Sequence, residues 1–225
     1  MFRHSARTQP ETPRRRIYHP EPFTPALYAK ARSSICSGDV LLWRPTTLMG
    51  RLIARGTKAV YSHASMAGWE PNGRMNPNRR LRNVELAQFH GGRHLPLSGF
   101  VERYPGLIDV YRPTEPYDGD RALEWILWLC SQDYGWADFA LMVVLRGFRW
   151  KLPTPADSPD PDLPRVCSAG VAWAIHYGGG RKVDSQKSDF LIFPGELADP
   201  FSRYQCTLYW DRLPQDSQEA PHAAA

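Results

Sequence analysis

The chain has 225 residues, is 42% hydrophobic and 12% aromatic, and carries a formal charge of +5. That is material for one well-buried core rather than two large ones, so a single domain with tails is expected. The four cysteines, Cys36, Cys130, Cys167 and Cys206, lie far apart with no C-x-x-C pair, which argues against a zinc site or a disulfide framework and leaves reduced thiols.

Residues 1–34 show no sustained hydrophobic period, and Arg3, Arg7, Arg14, Arg15, Arg16, Lys30 and Arg32 face only Glu11 and Glu21. They read as a basic, flexible N-terminal arm, the one part of the chain with a composition that suits nucleic acid or an anionic surface; a solvated tail is the commoner outcome. The arm holds no apolar run of the ~7–15 residues that a secretory signal needs. The longest apolar run, Phe139–Leu145, is too short to cross a bilayer. The expectation is a chain without stable membrane insertion or an export label, either cytoplasmic or assembled into a phage particle.

The folded domain is expected over residues 35–212. Ser37-Gly38-Asp39 is a turn feeding the apolar strand Val40–Trp43, and Thr46 or Thr47 can cap a helix through Leu48–Ala54 that Gly56 ends. Tyr61–Trp69 is a strand of mostly small residues, open to close approach by another element. After a polar loop, Leu81–Ala87 forms a second strand. A hairpin symmetric about Arg74 sets His63 directly across from Glu85, on one face. A loop with Gly91-Gly92 and a short helix near Ser98–Tyr104 lead to the strand Leu107–Arg112. Next comes a helix from about Asp118 to Cys130, with Ala122, Trp125, Ile126 and Leu129 on one face, then a second from about Trp136 to Arg149. A Pro-rich loop spans 151–164. Ser188–Ala198 reads as a strand or turn entering a helix, Tyr204–Trp210 as a last strand, and residues 213–225 as a loose tail. The fold class is α+β.

Chemistry concentrates at Val166-Cys167-Ser168, where a short apolar helix opens on a cysteine and runs to Gly178-Gly179-Gly180. Unpaired N–H groups at a helix start favour a thiolate and can receive an oxyanion. His176 shares the helix but lies about two and a half turns away, out of reach of the sulfur. A helix cysteine, a strand histidine and a carboxylate on the neighbouring strand are the parts of a nucleophile, its base and the base's orienter. Cys167 is the candidate nucleophile, His63 the base and Glu85 the orienter, with Asn83, Gln88 and His90 as substitutes if the register slips. The backbone N–H groups of Cys167 and Ser168 are the candidate oxyanion donors. Ser62 and Trp69 are the candidate substrate contacts. His90 and His94 have no third ligand at suitable spacing, so no metal and no cofactor is expected.

These residues resemble a known family. Ser37-Gly38-Asp39-Val40-Leu41-Leu42, Tyr61-Ser62-His63-Ala64-Ser65-Met66, Val84-Glu85-Leu86-Ala87 and Val166-Cys167-Ser168 are similar, in that order, to the Gly-Asp strand, Ser-His strand, Glu strand and Cys-Ser helix start of the circularly permuted NlpC-type (YiiX-like) papain-like cysteine hydrolases. Tyr134–Phe139 and Phe193–Ala198 are weaker echoes, and the resemblance covers roughly residues 36–205. It implies a papain-like fold, with a small antiparallel sheet packed on helices, and a thiol hydrolase acting on amide bonds. Bacterial cell-wall peptides are the leading substrate, with lipid or acyl-amide chemistry in some members. The family commonly follows Cys-Ser with an acidic and a large aliphatic residue, whereas Ala169-Gly170 stand here, so the pocket beside the sulfur differs. A lipid amidase or acyltransferase like the lecithin:retinol acyltransferase group is a second reading, weakened by the lack of an Asn-Cys-Glu-His signature. A third is a non-catalytic virion or nucleic-acid-binding protein using the basic arm. Without an export label, a wall-cutting enzyme needs delivery, for instance among phage structural proteins.

Overall fold

The computed structural model describes residues 25–70, 80–87, 91–131, 167–185, 187–198 and 201–210. Seven strands are present: β1 (Pro25–Leu27), β2 (Val40–Trp43), β3 (His63–Trp69), β4 (Leu81–Ala87), β5 (Gly91–Pro96), β6 (Ile108–Pro113) and β7 (Ser202–Tyr209). They form one mixed sheet in the order β1-β7-β6-β2-β3-β4-β5, in which only the β1–β7 pair is parallel. Five α-helices accompany it among the described residues: α1 (Tyr28–Ala31), α2 (Leu48–Thr57), α3 (Leu97–Arg103), α4 (Gly119–Leu129) and α5 (Cys167–Tyr177). The architecture is α+β.

Strand β2 lies between β6 and β3, and all four of its residues are buried. Its alternation divides the interior in two. Val40 and Leu42 pack with Ala64, Met66, Val84 and the faces of α4 and α5; Leu41 and Trp43 pack on the other side with Leu97 and Val101 of α3 and Tyr28 of α1. Close approach is built into the first layer. A Cβ at Gly68 would stand 2.5 Å from the side chain of Leu123, so glycine lets α4 rest on β3. At the entry to β2, Gly38 takes φ +84° against Gly119, and Asp39 beside it accepts from Arg112 and from the Cys36 N–H, tying the turn to β6.

Residues 25–34 depart from the expected arm, because β1 pairs with β7, and α1 and a 3-10 turn follow it. Their apolar members Tyr28 and Ala31 join Ile35 in the second core, a non-local burial that a short, proline-flanked segment does not announce. Gly91-Gly92, expected in a loop, instead opens β5; a Cβ at Gly92 would overlap the Cys130 backbone, so the glycine marks a crossing of α4 over the strand. Thr47 is the helix cap, accepting from the Gly50 N–H, and α2 runs past Gly56 to a left-handed Lys58. Asp118 caps α4 in the same way. Residues 189–191 and 194–197 form 3-10 turns. The helix expected at 136–149, the loop at 151–164, the tail at 213–225 and residues 1–24 lie outside the described residues.

Candidate active site

Helix α5 is made of small and apolar residues, so it can lie directly on the sheet. Ser168 through Ala172, with Ala174 and Ile175, are buried, and Val171, Ala172, Ala174 and Ile175 pack in one core with Ala64 and Met66 of β3. Ser168 Oγ donates to the Ile192 carbonyl at 2.8 Å, fixing the helix start to the turn that follows it in the chain. Cys167 is the first residue of α5 and His63 the first of β3, and the two meet at one end of the sheet.

The thiol of Cys167 and the ring of His63 are hydrogen-bonded. The other side of the ring is taken: His63 Nε2 is 2.5 Å from Glu85 Oε2. That leaves Nδ1 as the nitrogen facing the sulfur. Glu85 is nearly sealed from solvent, at 3% side-chain exposure, and its second oxygen accepts from Arg93 Nε at 2.7 Å. Both carboxylate oxygens are therefore occupied, one by the base and one by a guanidinium. Trp43, directly across β2–β3 from His63, sets its ring edge against the imidazole at 5.9 Å and donates from Nε1 to Ser65 Oγ.

The register differs from the symmetric hairpin. Met66 pairs with Val84 and Ala67 with Asn83, so Glu85 falls opposite Ser65 and lies diagonal to His63. Relative to that hairpin the pairing is shifted by two residues. A two-residue slip keeps every side chain on its face, which is why the two groups still meet.

Electrostatics follow from this arrangement. Burial by itself pushes the Cys167 thiol up, but the His63 charge, its hydrogen bond and the backbone N–H groups of Ala64 and Ser168 outweigh it, and the thiol falls below its ordinary value. Burial likewise favours a neutral His63, and the facing thiolate with the Glu85 hydrogen bond raises it well above the usual imidazole range. Glu85 is drawn down to about 2, since His63 and Arg93 overcome its desolvation. These directions favour a thiolate–imidazolium pair steadied by a carboxylate. Cys130 and Cys206, without such partners, are pushed by burial to about 11.

Of the other candidates, the Ser168 N–H reaches the sulfur as expected of a helix start, and Cys167 opens the helix, where an N–H has no intrahelical partner. Ser62 precedes His63 and lies against α2, its Oγ 3.2 Å from where a Cβ on Gly50 would be. Trp69 lies apart from the ring. It ends β3, about 20 Å along the strand from His63, and donates from Nε1 to the Ile35 carbonyl beneath Arg32. Asn83 is fully buried away from the ring, while Gln88 and His90 lie outside the described residues. His94 lies on β5, and no group of three metal-ligating side chains occurs among the described residues. His176 pairs with Asp189 at 2.7 Å.

Sequence reasoning missed Arg93 and a buried network next to the site. Asp109, wholly buried, accepts from Arg44, the Tyr61 hydroxyl and Thr207, and Tyr61 also bonds Tyr111. It braces the chain two residues before His63. The sign available beforehand was an Asp109 set between the apolar Ile108 and Val110. Compared with known proteins, the chain matches no family model and no curated protein.

Proposed function

We propose that this chain is a papain-like thiol hydrolase of the permuted NlpC type, cutting an amide bond through an acyl-enzyme, with bacterial cell-wall peptides as the leading substrate. The observation that carries the reading is the hydrogen-bonded Cys167–His63 pair with Glu85 on the far ring nitrogen. In chain order this is His, Glu, Cys, the order that a permuted papain-like site requires.

The thiolate of Cys167 attacks the scissile carbonyl carbon, and the C=O electron pair moves to oxygen, facing the N–H groups at the α5 start. Each such donor is worth about 3 kcal/mol at the transition state. Collapse breaks the C–N bond as His63 Nδ1–H passes its proton to the leaving nitrogen. The neutral ring then takes a proton from water, whose oxygen attacks the thioester; the acid leaves and the thiolate–imidazolium pair returns. Glu85 stays ionised throughout, holding Nε2–H so that Nδ1 keeps its aim.

Incubation with muropeptides followed by mass spectrometry tests the proposal. New termini from the wild-type chain, absent with Cys167→Ala, are the expected result. Unchanged muropeptides beside a Cys167-dependent cleavage of a lipid amide would move the substrate to the second reading, which the exposed Leu48, Met49 and Leu52 of the helix that packs on Ser62 through Gly50 favour. No Cys167-dependent product and no trapped acyl-enzyme on either substrate would overturn the hydrolase itself.

A further inference from the structure

The three most exposed large apolar side chains among the described residues are Leu48, Met49 and Leu52, at 76%, 59% and 55%, and all three lie on α2. At about 100° per residue, they form one outward stripe that continues to the half-exposed Ile53. Gly50, Ala54 and Thr57 form the inner side: Ala54 is buried and Gly50 approaches Pro45 and Ser62. Arg51 and Arg55 lie along the flank between the two, and Lys58 caps the helix end. From Val40 through Trp69 the sequence contains no Asp or Glu. An apolar stripe edged by cations, in a stretch of chain without acids, is the pattern of a helix that lies in a lipid interface.

We propose that α2 docks the protein on an anionic phospholipid surface, with Leu48, Met49 and Leu52 entering the acyl boundary and Arg51, Arg55 and Lys58 against the headgroup phosphates. Charge selects this occupant over two others. A second copy packed through the same helix would bring two cationic edges together with no carboxylate between them, and residues 1–24 carry Arg3, Arg7, Arg14, Arg15 and Arg16, which the same edge repels. Because α2 packs on Ser62, docking holds His63 within about a helix diameter of the lipid surface. The binding needs no chemistry at Cys167, so it stands apart from the hydrolase proposal and is measured on its own.

The test is co-sedimentation of the full chain with vesicles of 30% phosphatidylglycerol in phosphatidylcholine, against pure phosphatidylcholine, at low and 0.5 M salt. Expected are binding to the anionic vesicles and a loss of roughly tenfold or more in partitioning on Leu48→Glu with Leu52→Glu. Arg51→Gln with Arg55→Gln is expected to lose a comparable factor at low salt and little at 0.5 M. Both pairs are exposed or edge positions, so circular dichroism and the melting temperature should match wild type. No vesicle binding, equal binding to neutral vesicles, or binding unchanged by either pair would overturn the proposal. So would a wild-type dimer that the Leu48/Leu52 pair dissociates without any vesicle binding.

Discussion

Alkylation of Cys167 is the most direct measure of the ion pair. In a Cys36→Ser background, which removes the exposed thiol, the comparison is with Cys130 and Cys206. At pH 7 a thiol at about 11 is ionised to roughly one part in ten thousand. Each unit by which a thiol is lowered raises that fraction about tenfold and, for a Brønsted slope near 0.45, weakens the thiolate about threefold, a net gain of about 3.5-fold. Because Cys167 is held below the ordinary thiol value while the other two are raised to about 11, iodoacetamide should label it roughly tenfold faster or more, with the burial of Cys206 widening the gap. Between pH 8 and 6 an unactivated thiol slows about tenfold per unit, whereas Cys167 should slow far less because its thiolate persists. His63→Ala removes the cation and leaves the burial, so the rate should drop toward that of Cys130. Site-resolved mass spectrometry over a time course reads all three cysteines together. Equal rates for Cys167 and Cys130, or a tenfold slope for Cys167, would refute the reasoning.

Glu85 should also register in stability. Its folded value of about 2 lies below the ordinary carboxylate value, so its contribution is fully present above about pH 4.5 and is lost as pH falls through 2. The depression corresponds to something on the order of 3 kcal/mol. Asp39 and Asp189 are raised by burial and run the other way, so the difference between wild type and Glu85→Gln isolates the effect. Urea midpoints should converge from pH 5 to 2; parallel curves would contradict the assignment. Asp109→Ala should cost about 3–5 kcal/mol, since it removes the buried carboxylate that Arg44, Tyr61 and Thr207 share. A loss under about 1 kcal/mol in the same urea titration would show that the network is not a brace.

Strand and helix identity was readable wherever one period ran uninterrupted. Val40–Trp43, Leu81–Ala87 and the α4 face announce themselves by apolar spacing, and Cys167 by a helix start between a proline-rich stretch and three glycines. The small residues of Tyr61–Trp69 and of Ser168–Ala172 implied each other, since neither packs well except against a close neighbour, and they do share one core. What could not be read was non-local. The β1–β7 pairing joins segments from opposite ends of the chain, and no local period encodes it. Arg93 lies within a segment whose glycines mimic a loop, although Gly92 answers to the Cys130 backbone at the end of α4.

The His63–Glu85 contact shows why a site can be legible when the geometry behind it is not. Only the face of each residue had to be right, and in a sheet the face depends on register modulo two. A slip of one residue would have turned Glu85 toward α5, away from the ring; the slip of two that occurs sets it diagonal, and a glutamate side chain spans that offset to reach 2.5 Å. An aspartate at the same position loses one methylene of reach. Glu85→Asp should therefore keep the charge and the Arg93 bond but release Nε2, and Cys167 alkylation should fall below the wild-type rate. Wild-type alkylation in the aspartate variant would mean that charge alone, and not the hydrogen bond, holds the imidazolium in place.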